Sequence, residues 1–157
     1  MNRTDAAIAI VVRSDGRILI CQRKDDDVLG GYWEFPGGKC EDGETLQQCI
    51  IRELCEEVCI AARPDVPLTP IEHDYEHGKV RLHPFICHHE SGEPQLIECQ
   101  AARWIEPATL ADFKFPPANE SLIAEVIEYL SAPDKEPNAQ PAVREHPPAV
   151  DFIPPRA

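Results

Sequence analysis

Apolar residues recur along this chain with two periods, and the switches between them outline a fold. Residues 6–12 form an unbroken apolar run, and residues 17–23 are β-rich; Ser14-Asp15-Gly16 between them predicts a hairpin turn. Tyr32-Trp33-Glu34-Phe35 reads as a short aromatic strand that Pro36-Gly37-Gly38 stops. From 44 to 58 there is neither Gly nor Pro, and Leu46, Cys49, Ile50 and Leu54 recur at helical spacing. Residues 71–77 and 79–87 flank Gly78 as a second hairpin, and 102–105 is a further short strand. Glu106-Pro107 opens a helical turn, and 119–130 is a helix with Leu122, Ile123, Val126, Ile127 and Leu130 inward. Strands, a central helix, more strands and a terminal helix predict an α+β domain, a mixed β-sheet between helices. No internal repeat is visible.

The pattern ends near residue 131. Residues 131–157 hold seven prolines and no glycine, with apolar residues only singly or in pairs. Such a segment sustains neither helix nor strand. It is expected to be a Pro-rich, disordered tail outside a domain of residues 1–130. Val150, Phe152 and Ile153 are its only apolar foothold should it dock on a partner. With 157 residues the chain suits one domain. Its longest apolar run is far below the ~20 residues that cross a bilayer, and no secretory signal is evident. A cytoplasmic protein that meets no membrane is expected, in the monomeric state.

Charge narrows the function. Fifteen Lys and Arg face 28 Asp and Glu, a net −13. Without a basic run, the chain is not expected to bind polymeric nucleic acid, which needs cations against its phosphates. A small anionic ligand remains open to it if divalent cations bridge the two. The seven cysteines are odd in number and form no CxxC pair, so they read as reduced residues rather than a disulfide framework or zinc site.

The chemistry concentrates between Gly37 and Ile60. Glu53, Glu56 and Glu57 are spaced i, i+3 and i+4, which places them on one helical face. A solvated acidic face is one reading of that spacing. The other is a site for Mg²⁺ or Mn²⁺, hard ions that take oxygen ligands. The Gly37-Gly38 turn, lacking any Cβ, suits the approach of a backbone carbonyl to such ions.

Gly38, five residues, Glu44, seven residues, then Arg52-Glu53-Leu54-Cys55-Glu56-Glu57-Val58-Cys59-Ile60 resembles the Nudix box of the nucleoside diphosphate-linked-moiety hydrolases. One position departs: Cys59 stands where that pattern usually has Gly, just past the helix end. A left-handed conformation there costs a residue with a Cβ roughly 1 kcal/mol. Trp33-Glu34-Phe35-Pro36-Gly37-Gly38-Lys39, Phe115-Pro116-Pro117-Ala118-Asn119-Glu120 and Glu98-Cys99-Gln100 before Trp104 are similar to segments of the MutT branch, the 8-oxo-dGTP diphosphatases. Residues 6–130 carry the resemblance. It implies the Nudix α/β/α sandwich and Mg²⁺-dependent hydrolysis of a nucleoside triphosphate to a monophosphate and pyrophosphate, a sanitation of the nucleotide pool.

The resemblance also implies roles. Glu53, Glu56, Glu57 and Glu98 are the expected metal ligands, with Gly37 giving a carbonyl. Glu53 and Glu98 are both candidates for the base, and Arg52 is expected to orient Glu53 or simply to be solvated. Glu44 packs against Arg52 or supports the metal indirectly. Arg23 and Lys39 are candidate phosphate contacts, with solvent-facing roles equally open, and Gly38 lies at the substrate. An Asn amide matches O6 and N7–H of 8-oxoguanine together but meets the N7 lone pair of guanine. Asn119 is therefore a candidate base reader, and equally a helix N-cap. Phe35 is expected to line the base pocket, with Leu82 either joining it or serving the core. Competing readings are a related hydrolase of a pyrimidine triphosphate, nucleotide sugar or dinucleoside polyphosphate, and a non-catalytic Nudix binding module.

Overall fold

A computed structural model describes residues 3–75 and 78–131; the proposed tail lies outside the described residues. In chain order the elements are β1 (Arg3–Val12), β2 (Ile18–Gln22), β3 (Trp33–Glu34), β4 (Gly37–Lys39), α1 (Leu46–Val58), β5 (Ala61–Pro67), β6 (Ile71–Tyr75), β7 (Gly78–Ser91), β8 (Ala101–Ile105) and α2 (Glu120–Ser131). Two 3-10 segments, Pro107–Asp112 and Pro117–Asn119, lead into α2. None of the described helices is long and apolar enough to cross a membrane.

The sheet is mixed. β1 runs parallel to β7 along its whole length, from Arg3↔Lys79 to Val12↔His88, and every other pairing is antiparallel. The unbroken apolar run of β1 follows from burial on both faces. Ala6 and Ile10 join Ile18, Ile20, Leu82 and Ile86 beneath α2. Ala7, Ala9 and Val11 join Leu19, Cys49, Ile50, Leu54 and Val58 beneath α1. Helix, sheet and helix therefore form the expected α/β/α sandwich.

On its free edge β1 meets β2 only at Val12↔Ile18, and β2 then diverges toward β8. The chain from Trp33 to Lys39 fills the opening. β3 pairs with β2 through Gln22↔Trp33 and Cys21↔Glu34, then the chain crosses at Phe35-Pro36. β4 pairs with β1 through Ile8↔Gly37, Ala7↔Gly38 and Ala6↔Lys39. The aromatic strand does end before Pro36-Gly37-Gly38, and Gly37 and Gly38 open a second strand that was not expected. A Cβ at Gly37 would lie 2.8 Å from Ile8 Cα, a separation no side-chain carbon tolerates.

Two further departures have local causes. β5 was not expected, because its sequence carries Pro64 and Pro67. It is an edge strand on β7, and its register shifts around Pro64–Val66, where the missing N–H costs nothing to a neighbour. The central helix begins at Leu46 rather than Glu44. Thr45 caps it, accepting from Gln48 N at 3.0 Å while Gln48 Oε1 accepts from Thr45 N at 2.9 Å.

Candidate active site

α1 crosses the β1–β4 junction and aims its carboxylates at the glycine strand. Glu53 is 8 % exposed and sits directly over Gly38, so close that a Cβ there would fall 2.5 Å from Glu53 Cδ. Glu57, one turn on, is 5 % exposed, and its Oε2 has no hydrogen-bond partner. Burial pushes the Glu57 carboxyl up to about 10, helped by its hydrogen bond with Glu53 and by the charges of Glu34, Glu53 and Glu98. Carboxylates from α1, β3 and the bend before β8 thus bear together on Glu57.

Arg52 organises one side of this cluster. Its Nε donates to Glu44 Oε2 at 2.7 Å and its Nη2 to Glu44 Oε1 at 3.0 Å, the bidentate fork that a planar guanidinium favours. Nη1 donates to Glu53 Oε2 at 2.8 Å and to Glu56 Oε1 at 3.2 Å. Nη2 also reaches the carbonyl of Lys39 at 2.9 Å, tying helix to glycine strand. Hydrogen bonding to Arg52 holds the Glu44 carboxyl down at about 2, and the same bond raises the Arg52 guanidinium. Arg52 therefore orients Glu53 as well as holding Glu44, and it is not a freely solvated side chain.

The helical spacing brought Glu53 and Glu57 together but not Glu56 in the same sense. Glu53 and Glu57 face inward and are buried, whereas Glu56 is exposed and leans onto Arg52. Glu98 is half-buried on the bend that precedes β8, within electrostatic reach of Glu57. Lys39 is exposed. Among the described residues no three acidic, histidine or cysteine side chains converge tightly enough to enclose an ion unaided. Nonetheless the donor set suits a hard cation: a buried carboxylate with an orphaned oxygen, beside a second buried carboxylate, on a glycine strand with close access to the backbone.

Arg23 differs from expectation. Its guanidinium is buried, donating from Nη1 to Glu34 Oε1 at 2.7 Å and from Nε to Val28 O at 2.7 Å, with Asp27 Oδ1 3.2 Å from Nη2. An open phosphate fork is not present; a buried cation must be paired, and these groups pair it. Arg23 instead anchors the loop between β2 and β3. Glu34, which the motif reading passed over, is the group that links Arg23 to Glu57. Alternation along Trp33-Glu34-Phe35 held that signal, since Trp33 and Phe35 pack on the α2 side and leave Glu34 to the other face.

On the α2 side Phe35 is buried against Phe115, ring centroids 5.2 Å apart. Trp33 meets Phe113 edge-on at 5.3 Å, and Trp33 N donates to Lys114 O at 2.8 Å. This segment delivers Pro117–Asn119 to the same region. Asn119 does not N-cap α2 with its side chain. Its N–H donates to Pro116 O at 2.9 Å within the 3-10 turn, which runs straight into Glu120, and its amide has no hydrogen-bond partner among the described residues. Leu82 is 2 % exposed and belongs to the core.

Comparison with known proteins agrees with this geometry. Residues 7–125 match the NUDIX domain family. The chain is 33% identical over 126 residues to the 8-oxo-dGTP diphosphatase of Escherichia coli K12, spanning 80% of this chain and 98% of that protein. It is 31% identical over 116 residues to the CTP pyrophosphohydrolase of the same organism, spanning 74% and 86%. The solution structure of the E. coli ORF135 protein superposes with a TM-score of 0.73 at 30% identity, over 87% of this chain and 96% of that one. With its carboxylate helix over a glycine strand and a family match across most of its length, the chain belongs to the Nudix hydrolases.

Proposed function

We propose that the chain hydrolyses oxidised purine nucleoside triphosphates, 8-oxo-dGTP above all, to the monophosphate and pyrophosphate. The observation that carries this reading is the Phe35–Phe115 aromatic pair beside an Asn119 whose amide is uncommitted among the described residues. That amide has one donor and one acceptor to offer a base, the combination that suits O6 and N7–H of 8-oxoguanine. Against guanine the Asn carbonyl would face a lone pair. Mismatches of that sort discriminate by up to about 10⁴–10⁵.

Gly37 through its carbonyl, with Glu53, Glu56, Glu57 and Glu98, would hold Mg²⁺, with Mn²⁺ as a substitute. When bound, the metal neutralises phosphate charge and lowers the pKa of water. The chain's own residues then do the following. Arg52 fixes Glu53 through a 2.8 Å hydrogen bond, so one carboxylate oxygen is kept in place to accept a proton. Glu98 is the other candidate acceptor, approaching from its bend. Glu57, buried beside Glu53, keeps a carboxyl that a nearby cation would return to the charged form.

The relative named CTP pyrophosphohydrolase supports a second reading, the same chemistry on a pyrimidine nucleotide. Pyrophosphate release with Mg²⁺ from 8-oxo-dGTP, dGTP, dCTP and 5-methyl-dCTP, with Glu53→Gln as the blank, separates the two. A kcat/KM for 8-oxo-dGTP ~100-fold above dGTP, worth about 2.7 kcal/mol, and lost in Asn119→Ala, is the expected result. A preference for the cytidine nucleotides would sink the purine assignment and leave the hydrolase.

A further inference from the structure

Two thiols adjoin the site without belonging to it. Cys40 follows β4, where its N–H donates to Asp5 O at 2.8 Å, and it packs half-buried against the α1-side core. Cys49 is in that core, fully buried on the first turn of α1. The two side chains pack in one core cluster and act on each other's thiols. Cys49 Sγ also donates to Gly38 O at 3.5 Å and lies 4.0 Å from Arg52 Nη2. The pair therefore touches both the glycine under Glu53 and the arginine that orients Glu53.

We propose that Cys40 and Cys49 are an oxidative modification site, at which a small hydroperoxide joins the two sulfurs in a disulfide and slows the adjacent carboxylate site. Cys40 is the half-exposed member and meets the oxidant first. Its interaction with Cys49 holds the Cys40 thiol below its usual range, while the same interaction and burial push that of Cys49 above it, a division of labour between attacking and resolving thiol. Cys40 sulfur attacks the peroxide, an S–O bond forms as O–O breaks, and the departing oxygen takes a proton and leaves as water or an alcohol. Cys49 sulfur then attacks the Cys40 sulfenic acid; S–S forms, S–O breaks, and the hydroxyl leaves with the Cys49 proton as water. Two electrons pass from two thiols to one hydroperoxide. Oxidation consumes the Cys49 S–H, so the bond to the Gly38 carbonyl is lost and the strand under Glu53 is released.

The other cysteines are placed differently. Cys21, Cys87 and Cys99 are buried, 2 %, 0 % and 4 % exposed, and Cys55 and Cys59 are exposed, with no hydrogen bond to the glycine strand or to Arg52 among the described residues. Cleavage after Lys39 and Arg52 gives one peptide holding both Cys40 and Cys49, and cleavage after Glu44 divides it between them.

The reduced full-length chain is treated with hydrogen peroxide, its remaining thiols are alkylated, and the digest is read by mass before and after dithiothreitol. The expected result is a peptide 40–52 lighter by two hydrogens, whose halves stay joined after cleavage at Glu44 until reduced. In the same sample kcat falls about tenfold, the scale of a slightly misplaced catalytic group, and dithiothreitol restores it. Cys40→Ser keeps the reduced kcat and escapes this loss. Alkylated Cys40 and Cys49 after peroxide, a Cys40 sulfinic acid beside free Cys49, or a joined pair with unchanged turnover each overturns the proposal. Only the activity measurement rests on the hydrolase reading. A chain that forms the bond yet hydrolyses no nucleotide when reduced overturns the proposed substrate and upholds the modification site.

Discussion

Gly38 leaves no room for a side chain beneath Glu53. Gly38→Ala would drive a methyl group into the Glu53 carboxylate, 2.5 Å from its Cδ, so either Glu53 swings away from Arg52 or β4 lifts from β1. A catalytic group displaced by about 1 Å costs about 100-fold, and kcat for the preferred nucleotide is expected to fall by that factor while far-UV circular dichroism is unchanged. Turnover within about threefold of wild type would mean the contact does not position Glu53. Cys59 is the converse case. It holds the left-handed conformation, φ 57° and ψ 43°, at the C-terminus of α1. Cys59→Gly removes a Cβ strain of about 1 kcal/mol. The urea midpoint should rise with an unchanged slope; a midpoint that stays or falls refutes the strain. Spacing put Glu53, Glu56 and Glu57 on one helical face, and the resemblance to the Nudix box singled out Arg52 and Cys59. It did not reveal which carboxylates turn inward, because that depends on the glycine strand beneath and on Arg52 drawing Glu56 aside. Nor did it reveal that Arg23 is buried, since its partners Glu34, Asp27 and Val28 meet it only once β2 and β3 pair.

At the scale of elements, the long periodic segments were legible because each carries its own burial pattern: β1, β2, β7, α1 and α2. What escaped was short or defined by a neighbour. β4 is three residues whose identity as a strand comes wholly from β1, and β5 hides behind two prolines that only an edge position tolerates. The start of α1 was misplaced by two residues because Glu44 looks like a helix former, whereas Thr45 and Gln48 cap below it. Glu44 nevertheless ties the chain ahead of the cap to Arg52 on α1, and that tie depends on pH. Its carboxyl, ordinarily near 4.5, lies at about 2 in the folded chain. A lowered pKa gives stability that is complete above the unfolded value and disappears as pH falls through the folded one. The stability lead of wild type over Glu44→Gln, read from urea midpoints, should be constant near neutrality and shrink between pH 4.5 and 2. An equal lead at pH 3 and pH 7 would exclude the Arg52 pairing as its source. α2 is held by a different carboxylate. Glu125 is buried and accepts from Thr69 N at 3.2 Å and Thr69 Oγ1 at 3.0 Å, joining α2 to the turn between β5 and β6. Bonds to a charged acceptor contribute about 1.5–3 kcal/mol, so Glu125→Ala should lower stability by that order and leave the α1 carboxylates undisturbed. A loss below about 0.5 kcal/mol would show that the helix is held by its apolar face alone.

Over the whole molecule, the acidic balance and the proposed polyanionic substrate oppose each other, and the sandwich confines the conflict to one place. The net charge is −13, of which residues 1–130 carry −12, so this part of the chain itself repels a triphosphate at long range. In the proposed function the attraction is local: a metal that the α1 carboxylates would hold. Arg23 and Arg52 are already paired with carboxylates and add little net positive field. Long-range repulsion is screened by salt while short-range ligation is much less so; the Debye length shortens from about 30 Å at 0.01 M to about 8 Å at 0.15 M. At a fixed saturating Mg²⁺ concentration, raising the ionic strength over that range with an inert monovalent salt should lower KM severalfold and change kcat little. An enzyme that steers its substrate with a basic surface gives the opposite slope. A KM that rose with salt would therefore mean that cationic side chains, not the metal-loaded carboxylate helix, supply the attraction, and Lys39, exposed beside Gly38, would be the first residue to replace.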